Sequence, residues 1–116
     1  MQLNFVNISV QDMDRAVKFY TKLFQKDPVT ESERLVEFEF DGVKIGLHSA
    51  EADVTDREVS YGDNCFPGFR VEDLDEEKDR VSEFAEIVSE NSVGGHRWIT
   101  VRDSEGNTLE LYDGHL

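Results

Sequence analysis

Several features that would sort a chain into a class are scarce here. Cys65 is the only cysteine, which excludes an intrachain disulfide and a thiolate metal cluster. Followed by Phe66-Pro67, it reads as an inert, partly buried thiol, because an activated thiolate needs a nearby cation or helix N-terminus. Apolar runs extend for only a few residues, far short of a membrane span. The opening Met1-Gln2-Leu3-Asn4 lacks the basic and apolar regions of a secretory leader, so the expected location is cytoplasmic. Basic residues are few: 12 Lys and Arg stand against 26 Asp and Glu, for a net charge of −14. Nucleic acids and anionic membranes are gripped by clusters of Lys and Arg, and none is visible, so neither is an expected partner. Nor is there a phosphate loop, since Gly94-Gly95 is not followed by a helix start or a Lys-Ser/Thr pair. The acidic excess keeps the chain soluble and self-repelling, which suits either a high-salt cytoplasm or simply an acidic surface. A melting temperature indifferent to molar KCl would contradict that habitat.

What is present is enough apolar material for one domain. The chain has 116 residues, 38% of them hydrophobic, including eight Phe, and this composition argues against global disorder. It also repeats itself. Phe5-Val6-Asn7-Ile8-Ser9-Val10-Gln11-Asp12-Met13-Asp14 aligns with Phe66-Pro67-Gly68-Phe69-Arg70-Val71-Glu72-Asp73-Leu74-Asp75. Further on, Gly42-Val43-Lys44-Ile45-Gly46-Leu47-His48 aligns with Gly106-Asn107-Thr108-Leu109-Glu110-Leu111-Tyr112. Two matches in the same order at nearly the same offset indicate a duplication.

Each half reads as strand, helix, then further strands. From Leu3 to Val10, Val6, Ile8 and Val10 alternate with Leu3, Phe5, Asn7 and Ser9. Asp12 is placed to cap a helix whose Met13, Ala16, Val17, Tyr20, Leu23 and Phe24 share one face. Arg34 to Phe40 alternates again, and Asp41-Gly42 is a two-residue hairpin signal before Val43 to His48. Glu51 to Asn64 is polar and reads as the connection between halves. The second half opens with a strand from Cys65 to Val71. Asp73 then caps a helix carrying Leu74, Val81, Phe84 and Ala85, with Glu76 placed for a capping box. Strands over Arg97 to Arg102 and Thr108 to Tyr112 flank the turn Ser104-Glu105-Gly106-Asn107.

Two of these segments resemble a known family. Val10-Gln11-Asp12-Met13-Asp14-Arg15-Ala16-Val17-Lys18-Phe19-Tyr20 is similar to the opening strand and helix of the vicinal oxygen chelate superfamily, which contains glyoxalases, bleomycin-resistance proteins and extradiol dioxygenases. Asp103-Ser104-Glu105-Gly106-Asn107-Thr108-Leu109-Glu110-Leu111 is similar to its closing hairpin, with Ser104 where the family usually has Pro. The resemblance implies an α+β fold of two βαβββ modules, curled into a cup, with a homodimer as the usual assembly. Module one would span about 1–50, the linker about 51–64 and module two about 65–116 of a single domain.

The resemblance also implies where a metal would sit. Metal-dependent relatives take one ligand from each of four strands. Those positions correspond here to Phe5, Phe66, Gly46 and Glu110. Phe and Gly offer no donor atom, so no metal and no other cofactor is expected. A displaced site built from His48, His96 or His115 with Glu110 is the competing arrangement.

Strand parity then gives the lining of the cup. Residues sharing a face with the four positions include Asn7, His48, Arg70 and Tyr112, joined by Trp98 if Ile99 and Val101 pack on the helix. The candidate ligand-binding set is Asn7, His48, Arg70, Trp98, Glu110 and Tyr112. Aromatic walls with a few polar heads suit a small aromatic molecule, and the acidic composition favours a cation. The alternatives are a lyase, isomerase or dioxygenase with a displaced metal or metal-free acid–base chemistry, and an interaction module with a filled cup. In the filled arrangement Arg70 and Glu110 form a structural ion pair.

Overall fold

A computed structural model describes residues 1–49, 61–62 and 64–114. The connection expected over Glu51 to Asn64 falls mostly outside these residues, as does His115.

The element order is β1 (Phe5–Val10), α1 (Met13–Phe24), β2 (Thr30–Glu31), β3 (Leu35–Phe40), β4 (Val43–Ser49), β5 (Gly68–Arg70), α2 (Leu74–Val81), β6 (Glu86–Val93), β7 (His96–Arg102) and β8 (Thr108–Tyr112). They form two four-stranded sheets with the same plan, ordered β1-β4-β3-β2 and β5-β8-β7-β6. In each, the first strand runs parallel to the last, which pairs antiparallel with its hairpin neighbour. The duplicated α+β architecture expected from the repeat is therefore present strand for strand.

Local chemistry explains the boundaries. Asp12 and Asp73 cap the two helices, accepting from the amides of Arg15 and Glu76 at 3.0 and 3.1 Å. Glu76 takes part through that amide rather than by closing a capping box with its carboxylate. Asp41 and Gly42 both take left-handed φ values of 45° and 89°, as a two-residue hairpin of this hand requires. Gly94 and Gly95 do the same between β6 and β7.

Two strands carry no usable signal in the sequence. β2 is two exposed residues long, and β6 is an edge strand whose pairing shifts between Ile87 and Ser89, breaking the alternation. The segment expected over Cys65 to Val71 narrows to Gly68–Arg70. Pro67 has no N–H to give, and the partner ladder covers only Glu110 to Tyr112.

One core joins the halves. Ile8, Val10, Val36, Phe38, Ile45 and Leu47 of the first sheet meet α1 through Ala16, Phe19, Tyr20 and Leu23. Leu74, Val81, Ile99, Val101, Leu109 and Leu111 supply the second half. Every second strand residue is thereby committed to the helix side, which fixes register, since a one-residue slip would turn the whole apolar set outward.

The halves are also fastened by polar groups at the β7–β8 turn. Glu105, whose side chain is 0% exposed, accepts from the amides of Gln11 and Asp12 at 3.0 and 2.9 Å and from both Nε and Nη2 of Arg15. Burial acts to raise its pKa, but the Arg15 guanidinium and the Asp12 amide outweigh this and hold it below the ordinary glutamate value. Beside it, Tyr20 donates its hydroxyl to Asp103 at 2.5 Å. Burial first, then the Asp103 carboxylate, push that phenol well above the usual tyrosine value. Asn64 bridges Ser9 of β1 and Asn107 of the turn. Arg80 of α2 completes the join by donating to the carbonyls of Lys22 and Leu23 at the end of α1.

Candidate functional site

The residues turned away from the helices form cross-strand rows. In the first sheet, Asn7 lies beside Gly46 and Gly46 beside Glu37, while Ser9, His48 and Leu35 make the next row. In the second sheet, Gly68, Glu110 and Thr100 make one row, and Arg70, Tyr112 and Trp98 the next. Ile99 and Val101 are fully buried on the helix side, which puts Trp98 on this open face as parity required. The six candidate residues are therefore all on open faces, but on two sheets. Asn7 and His48 belong to the first, and Arg70, Trp98, Glu110 and Tyr112 to the second. Among the described residues no hydrogen bond, ion pair or ring contact joins the two groups. Arg70 and Glu110 occupy different rows and make no ion pair.

Among the described residues, two buried polar atoms on these faces have no hydrogen-bond partner: Asn7 Oδ1 and His96 Nδ1. Such an orphan costs about 1–3 kcal/mol when nothing else satisfies it. His96 stacks on Trp98 at 5.3 Å and lies 5.4 Å from Tyr112, centroid to centroid. It extends the aromatic wall of the second sheet. Sequence reasoning considered His96 only as a displaced metal ligand. Its signal was parity, since it stands two residues before Trp98 on β7. Asn7 leans over Gly46: a Cβ on that glycine would overlap Asn7 Oδ1 and stand 3.2 Å from its Cγ. At the edges, Phe5 and Phe66 are 55% and 59% exposed, unusual for large rings that an intact core would cover. Burial raises the thiol pKa of the neighbouring Cys65 above the ordinary cysteine value.

A model of the Glyoxalase/Bleomycin resistance protein/Dioxygenase superfamily matches residues 2–111. The chain belongs to that superfamily. Solved structures agree on the fold. A lactoylglutathione lyase from Agrobacterium tumefaciens superposes with a TM-score of 0.80 at 22% identity, covering 97% of this chain and 93% of its own. A glyoxalase/bleomycin resistance protein from Catenulispora acidiphila gives 0.74 at 21% identity over 98% and 100%. A glyoxalase-related enzyme from Fulvimarina pelagi gives 0.76 at 16% identity over 97% and 88%. The curated proteins yield no match.

For a superfamily member, the side chains fit a metal poorly. Of the four positions that carry ligands in metal-dependent relatives, Phe5, Gly46 and Phe66 offer no donor, and Glu110 alone offers a carboxylate. Asn7 fills the volume a side chain at position 46 would need. Among the described residues no three His, Cys, Asp or Glu side chains come together in a way that could hold an ion. Of the displaced arrangement, His48 is on the other sheet from Glu110 and His115 lies outside the described residues. His96 lies four residues along β7 from Thr100, the neighbour of Glu110, roughly 13 Å at the rise of a strand.

Proposed function

We propose that this superfamily member is a metal-free binding protein that takes a small cationic or aromatic molecule on the open faces of its sheets. The observation that carries this reading is the pair Asn7 and Gly46. The space of a ligand-bearing side chain has been given to an amide whose oxygen is buried and unpartnered. A chain of net charge −14 favours a cation as the bound molecule. Trp98, His96 and Tyr112 offer the second sheet's aromatic surface for stacking, with Glu110 and His48 as further polar contacts. Cytoplasmic placement belongs to the same proposal. Among the described residues no helix is long and apolar enough to cross a membrane.

The proposed assembly is a homodimer. β1 and β5 each lie at a sheet edge with one side unpaired, and Phe5 and Phe66 stand exposed there. Such edges are covered in most stable proteins, and a second copy would bring the two open faces into one cup. Light scattering should give twice the 13.3 kDa chain mass; a monomer at all micromolar concentrations contradicts the assembly.

Calorimetric titration of chelator-treated protein with Zn2+, Ni2+, Mn2+ and Fe2+ tests the absence of a metal. The expected result is no stoichiometric binding. A tight one-to-one site that disappears in Glu110→Gln would overturn the reading.

A further inference from the structure

On the helix side, where α1 and the β3–β4 hairpin meet the edge of β5, lies a cavity of about 480 Å3. That is the size of a small-molecule site. Its apolar wall comes from three elements: Phe24 of α1, Phe40 of β3 and Phe69 of β5. The rings contact one another, with centroids 4.7 Å apart for Phe24–Phe40, 5.1 Å for Phe24–Phe69 and 5.7 Å for Phe40–Phe69. All three remain only half-buried, whereas Tyr20 and Phe38 beside them are fully covered. They meet at the cavity and leave it part of their surface.

Polar residues come from several walls: Gln25 after α1, Asp41 of the hairpin, Glu77 and Arg80 of α2, and Arg70 of β5. β5 bonds to β8 through alternate groups, with Pro67 O accepting from Glu110 and Val71 N donating to Tyr112. The parallel register therefore turns the amides of Gly68 and Arg70 to the free edge, where they have no partner among the described residues. The Arg70 guanidinium likewise has no ion pair or hydrogen bond among the described residues. Arg15, Arg80, Arg97 and Arg102 each hold a carboxylate. Arg70 is thus a cation at the cavity wall that holds no carboxylate among the described residues. Arg80, on the opposite wall, is already engaged by Glu77 and the end of α1.

We propose that this cavity is a second ligand site, selective for a small amphipathic carboxylate. The flat apolar body lies on Phe24, Phe40 and Phe69, and the carboxylate meets Arg70 and an edge amide of β5. The site is opposite in charge preference to the open faces and shares only Arg70, at the edge of β5, with them.

Amide-resonance titration of the isotope-labelled full chain with 2-naphthoate tests this, with 2-naphthamide as the uncharged control. Saturable shifts should centre on Gln25, Val43 and Gly68 to Val71, with the amide binding more weakly. Arg70 is exposed, so Arg70→Gln should leave the remaining spectrum intact and weaken naphthoate about five- to tenfold, as loss of one charge-assisted contact does. Absence of saturable shifts at millimolar naphthoate would overturn the site, and so would shifts centred on Trp98 and Tyr112. Equal affinity in Arg70→Gln, or for naphthamide, would remove the carboxylate selectivity.

Discussion

The two modules follow one plan on their helix sides and diverge on their open sides. Buried positions correspond across the repeat: Ile45 and Leu47 of β4 have counterparts in Leu109 and Leu111 of β8, and Val36 and Phe38 of β3 in Ile99 and Val101 of β7. The open rows share geometry but not chemistry. Asn7, Gly46 and Glu37 stand where the second module has Gly68, Glu110 and Thr100. The hairpin turns differ too. Asp41-Gly42 only reverses the chain, while residues 103–107 also fasten the modules together. Core packing restricts what a helix-side residue can become, because volume and register must both be kept. Outside close contacts such as Asn7 over Gly46, an open-face residue is less bound by either constraint, and that is where a repeat is free to diverge.

The turn comparison gives the largest expected effect. Glu105→Ala removes the acceptor for two backbone amides and for Arg15, and should cost roughly 2–3 kcal/mol in urea denaturation. The equivalent disturbance in the first module, Asp41→Asn, should stay within about 0.5 kcal/mol, since Asn also tolerates the left-handed conformation. Equal losses would erase the distinction between the turns.

The paired glycines come next. Gly46→Ala collides with Asn7 and should cost about 1–2 kcal/mol through overpacking. Gly68→Ala meets only Tyr112 Cε1 at 3.8 Å and should be neutral within about 0.5 kcal/mol. Combining Gly46→Ala with Asn7→Gly should recover most of the first loss. No recovery would mean that Asn7 does not hold that space.

A smaller effect concerns pH. Glu105 has a lower pKa folded than unfolded, so its ionised form favours folding at neutral pH. That contribution fades as the pH falls through and below the ordinary glutamate range. Glu105→Gln should therefore be less stable than the parent at neutral pH, with the gap closing in acid. A gap constant with pH would place the role of Glu105 in shape rather than charge.

Much of this was legible in the sequence because apolar parity and turn chemistry are local. Asp12, Asp73 and Asp41-Gly42 announce their elements unaided, and Ile99 and Val101 fix the direction of Trp98. The clamp was not legible: Glu105 reads as an ordinary turn residue, and its partners Gln11, Asp12 and Arg15 lie far away along the chain. Asn7 above Gly46 was hidden for the same reason, since the two positions are 39 residues apart in the chain. β6 escaped because its irregular pairing at Ile87 and Ser89 destroys the period on which strand recognition depends. Arg70 was assigned to the open face by parity, and only its place at the edge of β5 brings it to the second cavity.

Trp98 is the only tryptophan in the chain, so its fluorescence reports directly on the proposed aromatic wall. Titrating the protein with the cationic aromatic quencher N-methylquinolinium, with and without EDTA, is the most direct test of metal-free binding. Saturable quenching unaffected by EDTA is the predicted result. Quenching that rises linearly, as for free tryptophan, or that saturates only when a divalent metal is supplied, would contradict it.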